Sequence, residues 1–180
     1  MNSTYLAGLI DAYGASEKTM LKVRDVFMQG DSRYADPEHE VIVAGFMDNG
    51  AMSVSETHVT QKPIKNSRIR GPQKGLKTIA KALLEERGYK ITLVERAFQG
   101  NIPDILAEGR DTLAVECGPC AIRKAIDYLE AGAVLWILKP IVPGHILYEF
   151  KRSENWNPAI KSHRDRRLKE AERAIGSVRF

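Results

Sequence analysis

The chain is poor in the residues that most often betray chemistry by spacing alone. It has 2 cysteines and 4 histidines in 180 residues. Cys117 and Cys120 cannot frame a disulfide scaffold, and they are too few to close a structural zinc site. His39, His58, His145 and His163 are scattered without ligand spacing. There is no Ser-His-Asp arrangement and no glycine-rich loop of the phosphate-cradling kind. No apolar run approaches the roughly 18 residues of a membrane span. The opening MNSTYLAGLIDAYG lacks the basic start of a secretory signal. These absences lead us to expect a cytoplasmic chain without membrane contact. A hydrophobic content of 43% is enough to bury a core without covalent staples.

Charge is present and unevenly placed. The formal net charge is +4, yet residues 61–90 hold 9 basic and 2 acidic side chains and residues 151–180 hold 9 and 4. Residues 1–60 and 91–150 are net acidic, at −5 and −3. Two basic blocks around an acidic middle suit a polyanion-binding protein whose reactive centre holds carboxylates. Solvated lysine-rich faces would give the same pattern. The densest cluster is Lys62, Lys65, Arg68, Arg70, Lys74 and Lys77, sixteen residues with no acid among them. A basic loop of this kind contacts phosphates rather than base edges, so a nucleic acid is the expected partner. The tail set Lys161, Arg164, Arg166, Arg167 and Lys169 is diluted by Asp165 and Glu170.

Periodicity places a helix over 73–87, where Leu76, Ile79, Ala80, Leu83 and Leu84 share one face and Gly88 ends it. Three strand-like runs follow at 90–95, 102–107 and 112–116, the last two joined by the turn composition Glu-Gly-Arg-Asp. A helix over about 120–131 and a buried strand, Ala133–Leu138, come next. Pro143-Gly144 turns into a further strand over 145–150, and a basic helical tail starts near 158. Upstream, Ser16 is placed to cap a helix carrying Met20, Val23, Val26 and Phe27, and Val41–Phe46 resembles a strand. The expected fold is α/β, a mixed central sheet flanked by helices with an α-β-β-β-α-β core. The expected divisions are an accessory or dimerisation region over 1–60, a core over 61–150 and a basic helical tail over 151–180.

Residues 103–120, PDILAEGRDTLAVECGPC, offer two incompatible chemistries. A turn of about three residues centred on Gly109-Arg110 sets Asp104 opposite Glu116, with Cβ atoms roughly 5 Å apart. Two carboxylates that close repel unless a cation neutralises them, and oxygen ligands suit Mg²⁺ or Mn²⁺. The plainer alternative is that Asp104 caps a bulge and Glu116 is a solvated strand end. The sulfurs give the rival chemistry, Cys-Gly-Pro-Cys between a strand and a helix.

The Pro-Asp of the second strand, the Glu near the end of the third and the element order together resemble the PD-(D/E)XK nuclease superfamily, the restriction-endonuclease-like fold. The resemblance covers about 65 of the 180 residues. It implies a metal-dependent DNA endonuclease, acting as a homodimer. Asp104 and Glu116 would be its metal ligands and the Cys117 carbonyl a third. Gly118 stands where that family carries a lysine two residues after the acid. Some members take this cation from the following helix, which points to Lys124, with Arg123 beside it. A non-catalytic DNA-binding protein on the same fold is the alternative. The string CGPC is itself similar to thioredoxin, implying a thiol-disulfide oxidoreductase. Three consecutive strands before it, Glu116 in place of Trp, and the lack of a suitable partner proline oppose that. Leu6–Gly14, LAGLIDAYG, resembles the LAGLIDADG homing-endonuclease signature in eight of nine letters, but its metal-binding acid is replaced by Tyr13.

Overall fold

Side-chain caps define the first three helices of the computed structural model, which describes residues 2–60, 72–94, 97–141 and 144–178. Asn2 caps α1 (Ser3–Tyr13), and Ser16 caps α2 (Glu17–Met28) by accepting from the Thr19 amide, as the sequence led us to expect. Asp36 caps α3 (Pro37–Asp48), whose first turn carries Pro37, Glu38 and Glu40. This corrects the strand expected at Val41–Phe46. Residues 40–46 are all buried, and a helix buried on every side presents the same unbroken apolar run as a buried strand. The LAGLIDAYG string is α1 and its cap, with Gly14 in the left-handed conformation at φ 63°. The close helix approach occurs at Gly45 of α3, where a Cβ would lie 2.6 Å from that of Tyr13.

The remaining elements are β1 (Met52–Val59), α4 (Pro72–Glu86), β2 (Lys90–Val94), β3 (Ile105–Glu108), β4 (Thr112–Cys117), α5 (Lys124–Glu130), β5 (Val134–Pro140), β6 (His145–Arg152) and α6 (Trp156–Gly176). The protein is thus α/β, with six helices and a six-stranded mixed sheet among the described residues, not closed into a barrel. The strand order is β1-β6-β5-β4-β3-β2. β2, β3 and β4 form an antiparallel meander, α5 carries the chain across to a parallel β5, and β6 and β1 pair antiparallel beyond it.

Alternation along the strands divides the core in two. On one face, Leu106, Ala114, Leu135, Ile137, Tyr148 and Phe150 pack with α5, α6 and the three N-terminal helices. The helices expected to form an accessory region therefore share a hydrophobic cluster with the sheet. On the other face, Val115, Cys117, Trp136 and Leu138 pack under Leu76, Ile79, Ala80 and Leu84 of α4. Two boundaries move from expectation. β3 begins at Ile105 rather than Ile102, since Pro103 has no amide to give a ladder. α5 begins at Lys124, four residues past Cys120. No helix among the described residues is long and apolar enough to cross a membrane.

Candidate active site

The hairpin between β3 and β4 determines which acids meet. Glu108 pairs with Thr112 across the three-residue turn Gly109–Asp111, and Ile105 pairs with Val115. One residue before that last pair the chain bends at Asp104, and its side chain reaches the backbone of β4 at Cys117. Gly109 lets the Tyr89 ring pack against this turn, because a Cβ there would lie 2.6 Å from the ring.

The two carboxylates are held from opposite faces of the sheet. Asp104 Oδ2 accepts from the Cys117 amide at 2.7 Å, and Lys77 Nζ of α4 lies 3.5 Å from Oδ1. Glu116 is 4% exposed and turns toward α5. Its Oε1 accepts from Lys124 Nζ at 2.7 Å and from the Tyr128 hydroxyl at 2.8 Å. Lys124 Nζ also donates to the Ile102 carbonyl at 3.2 Å.

Burial raises the Glu116 pKa above the ordinary carboxylate value; the Lys124 charge and hydrogen bond oppose this, the Asp104 charge adds to it, and the Tyr128 hydroxyl lowers it. Tyr128 is itself pushed upward, by burial and then by the Glu116 charge, so it stays a proton donor.

The loop before Asp104 is tied to α5. Phe98 and Asn101 close a tight turn with Gln99 at φ 49° and Gly100 at φ 78°. Buried Asn101 donates to Asp127 and accepts from Arg123, both at 2.9 Å, while the Phe98 ring sits 6.2 Å from that of Tyr128. These contacts fix the segment that presents Pro103-Asp104.

Gly118 has φ 88°, and the nearest atom to a Cβ built there is Leu76 Cδ1, at 3.8 Å. The glycine therefore answers a backbone requirement under α4, and the space beside it belongs to Leu76 rather than to Lys124. The nearby thiols are free and buried. Burial, followed by the neighbouring carboxylates, pushes the Cys117 thiol far up, and Cys120 likewise. Because α5 starts at Lys124, neither sulfur sits at a helix N-terminus that would lower its pKa.

Lys62, Lys65, Arg68 and Arg70, together with the side chain of Lys74, lie outside the described residues. Lys77, expected as a phosphate contact, stands beside Asp104. Four of the five tail cations are engaged within the chain: Arg164 with Glu130, Arg167 with Glu38, Lys161 with Asp165, and Arg166 over the Tyr13 ring. Tyr128, Asn101 and the Ile102 carbonyl carried no signal in the sequence. A tyrosine or asparagine acquires such a role only through its partner, and these partners are distant in sequence.

Asp104 and Glu116 are hard oxygen donors of the type Mg²⁺ or Mn²⁺ takes, and both hydrogen bonds to Glu116 fall on Oε1. Among the described residues, no cluster of three or more His, Cys, Asp or Glu side chains assembles to hold a metal. An ion here would rest on two carboxylates, with carbonyl, water or phosphate oxygens completing its shell. No protein-family model, curated protein or solved structure matches the chain.

Proposed function

We propose that the chain is a metal-dependent DNA endonuclease with a restriction-endonuclease-like core running from α4 to β5. The observation that carries this reading is the convergence of two carboxylates at the open end of the β3–β4 hairpin, Asp104 bonded to the Cys117 amide at 2.7 Å and Glu116 to Lys124 Nζ at 2.7 Å. The element order α-β-β-β-α-β, an antiparallel meander followed by a parallel crossover, supports it. So does the basic block that leads into α4.

Asp104 and Glu116 would hold Mg²⁺ or Mn²⁺. Such an ion supplies a water of lowered pKa and charge stabilisation for a phosphodiester undergoing hydrolysis. The chain's own residues prepare the site. The Cys117 amide fixes Asp104, while Lys124 and Tyr128 fix Glu116 and offset the cost of burying its charge. Lys77 and Lys124 bring two positive charges to a centre that must receive a polyanion. A homodimer would supply two such centres, one for each strand.

A non-catalytic DNA-binding protein is the second reading. It is favoured by the fact that each carboxylate already has a lysine as counter-charge. A thiol-disulfide oxidoreductase finds less support, since both thiols are buried and raised in pKa. The test is cleavage of duplex, branched and single-stranded DNA with Mg²⁺ or Mn²⁺. The wild type should cut at least one substrate. Asp104→Ala or Glu116→Ala should reduce the rate by about 10³-fold, the equivalent of several kcal/mol of lost transition-state stabilisation, and leave DNA binding in place. Salt-sensitive binding without any cleavage by the wild type selects the second reading.

A further inference from the structure

The loop that leads into Asp104 holds an apolar side chain out of the core. The large apolar residues exposed among the described residues are Tyr5, Leu21, Ile102, Leu168, Ile175 and Val178. Tyr5, Leu21, Leu168 and Ile175 lie on helices and Val178 just past the end of α6, where single exposed apolar residues are ordinary. Ile102 alone among them stands at the carboxylate pair. It is 58% exposed, between two buried neighbours, Asn101 and Pro103. The backbone on either side of it is pinned. Asn101 donates to Asp127 and accepts from Arg123, the Ile102 carbonyl accepts from Lys124 Nζ at 3.2 Å, and the Pro103 ring fixes its own φ. The same ammonium holds Glu116 at 2.7 Å, and Asp104 follows two residues after Ile102, at most about 7 Å along the chain.

We propose that Ile102 is an apolar wedge, seated against a nucleobase next to the phosphodiester that the carboxylates receive. This rests on the DNA-binding part of the proposed function and makes Ile102 the residue that selects DNA whose stacking is already loosened. A base attached to a phosphate at Asp104 and Glu116 comes within reach of a side chain two residues away. An aliphatic side chain offers that base no charge and no hydrogen bond. Its gain is contact with an unstacked face, as when Ile, Leu or Met separates a base step. A pinned backbone and the stiff χ1 of a β-branched residue leave little entropy to lose on contact. Opening a step is costly in an intact duplex and cheaper at a mismatch, so the wedge favours the mismatch.

The test is binding of the full chain, with no divalent metal added, to a short fluorescent duplex and to the same duplex with one central mismatch. The wild type should bind the mismatched duplex about tenfold more tightly. Ile102→Ala should bring that ratio close to one, mainly by weakening the mismatched complex, and Ile102→Leu, which keeps the aliphatic volume, should retain most of it. Neither change removes a phosphate contact, so the slope of log affinity against log salt should stay at the wild-type value. Because Ile102 is exposed, the thermal midpoints should match wild type within a few degrees, which shows that folded proteins are being compared. A wild type that binds both duplexes equally, or an Ile102→Ala protein that keeps the preference, refutes the wedge and leaves DNA binding standing. A wild type with affinity for neither duplex overturns the DNA reading, and the wedge falls with it. A change in the sedimentation of the free protein on Ile102→Ala would assign the side chain to a contact between copies of this chain, and would also overturn the proposal.

Discussion

Asp104 and Glu116 lie at the same end of one hairpin, yet they belong to different parts of the molecule. Glu116 lies inside, on the α5 face, 4% exposed, and both of its hydrogen bonds come from one helix. Asp104 lies in the loop that enters β3, anchored by a backbone amide and approached by a lysine from α4. The pair therefore draws on both layers around the sheet, with α5 stabilising the buried member and α4 attending the outer one. A carboxylate buried as deeply as Glu116 ionises at a cost that its counter-charge offsets, whereas Asp104 keeps a backbone amide as well as a lysine beside it.

The comparison breaks most sharply at Lys124. Lys124→Met leaves Glu116 as a buried charge with only a hydroxyl for company, and it should cost roughly 3 kcal/mol at neutral pH. Lys77→Met removes a longer contact, 3.5 Å to an Asp104 that keeps its bond from the Cys117 amide, and should cost about 1 kcal/mol. Chemical denaturation of the two variants measures both numbers, and equal losses would contradict the distinction. The pH dependence follows from linkage. The Glu116 pKa is raised in the folded protein, so the stability tied to its neutral form is present below the ordinary carboxylate value and is lost as pH rises through the raised one. Removing Lys124 takes away the strongest influence lowering that pKa. The Lys124→Met deficit should accordingly be largest at neutral pH and shrink on acidification as Glu116 takes up a proton.

A smaller effect sharpens the same contrast. Tyr128→Phe deletes one hydrogen bond to the buried carboxylate and little volume, and should lower stability by about 1.5 kcal/mol. Because the hydroxyl stabilises the ionised form, the Glu116 pKa should rise further in this variant, as carboxylate chemical shifts followed against pH would report. An unchanged titration would mean that the Tyr128 hydroxyl does not bear on the site.

Much of this arrangement was legible from residue order. The β3–β4 register followed from the length of a turn rich in glycine and charge, which brings both acids to one end of the hairpin. The α4 stripe and the Ser16 cap were local signals that tertiary structure left alone. Val41–Phe46 resembles a strand because α3 is buried along this stretch; the Asp36 cap and Pro37 in the first turn were local helix signals that the apolar run outweighed. β1 was not anticipated, since as an edge strand with mostly exposed side chains it carries little hydrophobic pattern. The CGPC string matched a redox motif letter by letter, but its chemistry depends on exposure and a helix terminus, and the fold provides neither. Lys77 was legible as a charge, and its position beside Asp104 only as geometry.

The account turns on the two carboxylates acting as one cation site, and Mn²⁺ binding tests this most directly. Titration of the full-length protein with Mn²⁺, followed by calorimetry or by the loss of free-ion paramagnetic resonance signal, should show a site that is lost or severely weakened in both Asp104→Asn and Glu116→Gln. Wild-type affinity retained in either variant would show that the two acids do not share an ion, and would contradict the account.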